Sequence, residues 1–182
     1  MKRKTFDKIL TAVGAVLAVV MLVAGGLLLW GHSFATNPVH DQLAAQKIFF
    51  PLAGSDARKP AEIGPFLNQY AGQELLTGKQ AEAYADHFIA VHLNEIGGGQ
   101  TYSQLSVKAQ VSPNDAALQN QVATLFKGET LRGLLVQAYA FSIFGQIALL
   151  AAWAAFAGAV VLLILATFGW RHAARVQPEA RI

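Results

Sequence analysis

The sequence predicts an all-α membrane protein, with two transmembrane helices flanking a helical extracytoplasmic domain, on three observations. Only 14% of its 182 residues are charged, where a soluble domain carries about 25%. Two uncharged apolar runs, residues 9–30 and 141–170, lie near its two ends. Between them helix start signals recur, and no alternating strand pattern appears.

Residues 1–8 form a short basic tail, with Lys2, Arg3, Lys4 and Lys8 against Asp7. Residues 9–30 would rise about 33 Å as a helix, enough for a bilayer core of about 30 Å. A cleaved secretory signal is the rival reading, since the basic start and Ser33-Phe34-Ala35 have the right character. Signal cores run only about 7–15 residues, so an uncleaved anchor is expected.

Residues 31–140 make the outer domain. Asn37-Pro38 is expected to cap and open a helix through Val39, Leu43 and Ile48. Pro51, Gly54, Pro60, Gly64 and Pro65 then make 51–65 a helix-free loop, uncommon at that length unless it binds something or is disordered. Thr77-Gly78-Lys79-Gln80 has capping-box spacing and opens an amphipathic helix, whose face is Ala85, Phe88, Ile89, His92, Leu93 and Ile96. Gly97-Gly98-Gly99 ends it. Thr101-Tyr102-Ser103-Gln104 repeats the box, and Ser112-Pro113-Asn114-Asp115 starts a helix carrying Leu118, Val122, Leu125 and Phe126. A break is expected at Gly128, followed by a last helix from Glu129 that runs into the second span, 141–170. Residues 171–182 form the C-terminal tail.

Charge sets the expected orientation. The tail at 171–182 holds Arg171, Arg175 and Arg181 against Glu179, whereas residues 32–140 hold seven basic and nine acidic side chains. Lys and Arg beside the spans stay inside, so both termini are expected in the cytoplasm of a bacterial plasma membrane and the middle outside. The net charge of +3 thus reflects lipid-facing tails and does not point to nucleic acid. The absence of cysteine excludes disulfides, thiolate metal sites and thioether haem attachment.

Specific chemistry is sparse. His87, His92 and Glu95 are the candidate metal ligands, but residues five apart on an α-helix diverge by about 140°, leaving His87 on the polar side and His92 on the apolar face as a structural residue. Gly97-Gly98-Gly99 lacks the lysine and the preceding strand of a nucleotide loop, and no nucleophile elbow occurs. No cofactor is implied, and an enzyme is disfavoured. Neither span contains an ionisable side chain, which disfavours proton relays and ion-coupled transport. Both carry small residues at helical spacing: Thr11, Gly14, Ala18 and Gly25 in the first, and Ala148, Ala152, Ala155, Ala159, Ala166 and Gly169 in the second. Such faces let backbones approach closely.

His40-Asp41-Gln42-Leu43, the run from Pro65 to Gly72, the run from Ala85 to His92 and the run from Gly128 to Gly133 carry a likeness that covers most of the outer domain. On them the chain resembles uncharacterised actinobacterial two-span membrane proteins with a helical exported domain. The resemblance implies an architecture and no known activity.

The expected function is a membrane-anchored structural or interaction protein. It would be a homo-oligomer or an accessory subunit of a cell-envelope complex, with the bilayer, itself or another membrane protein as partners. Arg58, Lys59, Ile63 and Pro65 of the 51–65 loop and Phe66 just after it are the expected contact residues, because apolar residues held by prolines lose little entropy on docking. The alternatives are a ligand-binding or sensory module signalling through a continuous second transmembrane helix, and an oligomeric pore.

Overall fold

The computed structural model describes residues 2–58 and 63–177. They are all-helical, with no strand among them: α1 (Arg3–Gln46), α2 (Gly64–Leu67), α3 (Gly78–Tyr84), α4 (Ala90–Ile96), α5 (Tyr102–Val111) and α6 (Ala116–Arg175). Helices α1 and α6 are each long and apolar enough to cross a membrane. The chain divides into two compact units, Met1–Phe34 with Gly145–Ile182, and Ala35–Phe144.

In the second unit the local signals work as their chemistry requires. Thr77 and Thr101 each accept from the backbone N–H three residues on, at 3.3 Å, while Gln80 and Gln104 reach back to the capping N–H groups. Asp115 Oδ1 accepts from the Leu118 N–H and starts α6. Gly97 closes α4, and Gly98 and Gly99 take positive φ in the turn that follows. A single antiparallel bridge joins Phe49 to Glu74. Around it Phe50, Ile63, Leu67, Leu75, Ile89, Leu93, Leu105, Leu125 and Leu135 form the core, with Leu43 of α1 reaching it.

Three elements differ from the sequence expectation. Helix α1 passes through Pro38 without restarting. Proline removes one hydrogen bond, but its fixed φ is helical, and continuity keeps Val39 and Leu43 one turn apart against the core. Helix α6 likewise passes through Gly128. A Cβ there would collide with the Leu93 side chain, so this glycine serves close approach rather than termination. The 51–65 segment is not free of helix: Asp56–Arg58 forms a 3-10 turn, and α2 begins at Gly64, with Pro65 in its first turn.

Candidate functional site

Within the first unit the two membrane-length helices meet along small residues. The buried positions of α1 are Thr11, Ala18 and Gly25, seven apart; those of α6 are Gly145, Ala152, Ala159 and Ala173, also on a seven-residue frame. That period is the seam of a left-handed helix pair. Thr11 faces Gly169, Met21 faces Gly158, and Gly25 faces Phe156, where an added Cβ would lie 2.6 Å from a ring carbon. As the number on α1 rises its partner on α6 falls, which is antiparallel pairing. His32 Nδ1 lies 2.8 Å from the Gly145 carbonyl at one end, and Asp7 Oδ2 lies 3.9 Å from His172 Nε2 at the other.

Of the expected packing residues, Ala18, Gly25, Ala152 and Ala159 are buried in this seam, and Ala148 and Ala155 are half-buried. Gly14 is the exception. A Cβ built there meets nothing within 4 Å, so it does not hold the helices together. The sequence reading missed Gly145 and Ala173, which the seven-residue spacing from Ala152 and Ala159 could have found.

The histidines belong to the second unit and go separate ways. Residues Ala85–Ile89 form a single π-turn between α3 and α4, which inserts a residue and shifts the face that follows. His87 stacks on Phe66 at 3.6 Å between ring centroids and 3° between planes. It is therefore packed on an aromatic ring, not turned toward a polar face as the unbroken-helix angle implied. His92 Nδ1 lies 2.8 Å from the Phe88 carbonyl one turn back, and its ring packs against that of Phe88. Glu95 is exposed. Among the described residues no three His, Cys, Asp or Glu side chains could share a metal ion.

An aromatic ladder runs beside the π-turn: Tyr70 and Tyr84 flank Phe50, and Tyr84 leans on Phe88. Burial raises the Tyr84 phenol above its ordinary pKa. Asp86 in the π-turn meets Arg132 of α6 at 3.2 Å, and Arg132 also approaches Glu129 at 3.4 Å.

The expected loop contacts divide. Ile63 is fully buried and is a core residue, so it offers nothing to a partner. Pro65 and Phe66 are exposed, one face of Phe66 being covered by His87. Arg58 ends the 3-10 turn, and Lys59 lies outside the described residues.

Comparison of the chain with protein-family models, curated proteins and solved structures gives no match.

Proposed function

We propose that the chain is a two-span protein of the bacterial plasma membrane, with both termini cytoplasmic and residues 31–140 outside, anchoring an association domain. One observation carries the membrane part: in the first unit the fully buried residues are small and most of the large apolar ones are exposed. Only 11% of each apolar window is buried, whereas a core helix of a soluble protein would be mostly buried. Leu10, Leu27, Leu150, Trp153 and Phe168 all face outward. Water penalises that arrangement, while lipid solvates it and rewards close backbone packing.

The association part is supported by apolar side chains that the outer unit leaves uncovered, including Phe49, Leu52, Phe66, Val107 and Val111. Large exposed apolar residues in a domain whose core is already filled favour contact with another protein, either a second copy or a larger complex. The unbroken α6 favours a second reading, a ligand-binding or sensory module signalling along that helix.

Both parts are open to direct test. The cysteine-free chain accepts single probes at Ala53→Cys and Gln177→Cys, both exposed sites. An impermeant thiol reagent should label the first and not the second in intact cells; the reverse pattern overturns the orientation. Native mass spectrometry of protein extracted in mild detergent should give either a multiple of 19.5 kDa or a complex with a second chain. Leu52→Asp combined with Val111→Asp should dissociate it. A monomer at every concentration overturns the association reading.

A further inference from the structure

The first unit ends in an unusual balance of charge. Among the described residues its tail ends carry Lys2, Arg3, Lys4, Lys8, Arg171 and Arg175 against one carboxylate, Asp7. That carboxylate already faces His172, and the Asp7 carbonyl accepts from the Thr11 hydroxyl at 2.7 Å. Lys4 and Lys8, one helical turn apart on α1, form no ion pair with any described residue. Together with Thr11 of α1 and Trp170, Ala173 and Ala174 of α6 they line a cavity of about 300 Å³.

We propose that this cavity seats the phosphate of an anionic phospholipid. The inference rests on the membrane reading above and gives it a specific ligand. Two ammonium groups spaced by one turn can take a phosphodiester between them as point charges. The indole of Trp170 supplies the flat amphipathic wall suited to the glycerol level of a membrane. The volume matches the small end of ligand cavities, about 300–1,000 Å³, and so a single headgroup. Directly beyond the cavity in sequence, Ile9, Leu10 and Val13 on one helix and Leu165 and Phe168 on the other are exposed and apolar. They offer a bed for acyl chains that a free phosphate would not use. Basic pockets between spanning helices on the cytoplasmic side are where anionic headgroups bind.

A diffuse basic tail attracts anionic lipid regardless of which cation is kept, whereas a seat depends on Lys4 and Lys8 in particular. The test uses the full chain in mild detergent, with phosphatidylglycerol, phosphatidylcholine or inorganic phosphate added and bound molecules counted by native mass spectrometry. One phosphatidylglycerol should be retained per chain, with no comparable retention of phosphatidylcholine. Lys4→Gln with Lys8→Gln should weaken that retention by about tenfold or more beyond any loss that Lys2→Gln with Arg3→Gln, which removes the same charge from the diffuse tail, brings. Lys4→Arg with Lys8→Arg should retain the lipid and shows that the doubly substituted site still folds. Equal losses in the two Gln pairs, equal binding of phosphatidylcholine, or displacement of the lipid by millimolar inorganic phosphate would each overturn the proposal. Alkaline extraction of native membranes separates the two readings. Release of the protein would sink the membrane reading itself, whereas firm retention without dependence on Lys4 and Lys8 would sink the lipid seat alone.

Discussion

Residues 35–144 and the pairing of 1–34 with 145–182 bury opposite kinds of side chain. The first hides Phe50, Ile63, Leu67, Leu75 and Leu125 almost completely. The second hides Thr11, Ala18, Gly25, Gly145, Ala152, Ala159 and Ala173 and turns most of its leucines and valines and its three tryptophans outward. In water, burying a large apolar side chain is worth about 1.5–3 kcal/mol, so large residues go inside. On the membrane reading proposed above, lipid chains would remove that gain and leave packing between backbones, which glycine and alanine favour because they are small. One chain would then carry two packing rules, and substitutions of opposite sense should tell them apart.

The largest effect is expected from shrinking a core residue of the water-type unit. Leu67→Ala or Leu125→Ala should cost about 2–5 kcal/mol, the usual loss for a leucine cavity. Leu150→Ala, at a position 70% exposed in the membrane-type unit, should shift the melting temperature in detergent hardly at all. Comparable losses at Leu67 and Leu150 would mean that both units obey the same rule.

Enlarging small residues should reverse the ranking. Gly25→Leu would drive a side chain into Phe156, and Ala152→Leu or Ala159→Leu would separate the paired helices; each should cost about 1–3 kcal/mol. Gly14→Leu, with open space around its Cβ, is the matched control and should be close to neutral. Thermal unfolding in a fixed detergent measures all four. A neutral Gly25→Leu would remove the seam from the account.

These contrasts also show which features could be read in the sequence. The capping boxes at Thr77 and Thr101 and a helix start near 112–115 were legible because each is decided within four residues, although the cap itself falls on Asp115 rather than on Ser112. So was most of the small-residue face, since its period survives in the sequence. Pro38 and Gly128 misled because their usual meaning is local while their role here is not: Gly128 exists to admit Leu93, thirty-five residues away. The π-turn at Ala85–Ile89 leaves no compositional mark, and nothing in the sequence signals that His87 stacks on Phe66 rather than pointing to the polar side. Ile63 looked like part of an exposed proline-bounded loop, but only the core formed by distant segments decides that it is buried.

A smaller effect is expected from three histidines, two in 35–144 and one in the other unit. His92 bonds within its own helix and packs on Phe88, so His92→Ala should cost about 1 kcal/mol. His87→Ala should lose its stack on Phe66, worth about 0.5–1.5 kcal/mol. His32 reaches across to the Gly145 carbonyl; between membrane-spanning helices such a bond contributes about 0.6 kcal/mol on average. Equilibrium unfolding of the three alanine variants tests this order; a His32→Ala loss well above the other two would show that the seam depends on that bond rather than on small residues.

The smallest expected effect concerns alkaline pH and separates the units without altering packing. All four tyrosines, Tyr70, Tyr84, Tyr102 and Tyr139, fall within 35–144. Tyr84 stands edge-on to Phe50 at 5.3 Å between centroids, and its burial raises the pKa of its phenol above 10.0. In the unfolded chain the same phenol ionises near its ordinary value, so above about pH 10 the unfolded state loses its proton first and gains free energy over the folded one. The stability linked to Tyr84 is therefore complete below that value and is lost as pH rises through the raised folded value. Thermal melts followed between about pH 8 and about pH 11 should show the second unit weakening at the alkaline end, and Tyr84→Phe should flatten that slope because it keeps the ring contacts and removes the proton. Superimposable profiles for the two proteins would mean that Tyr84 carries no linkage.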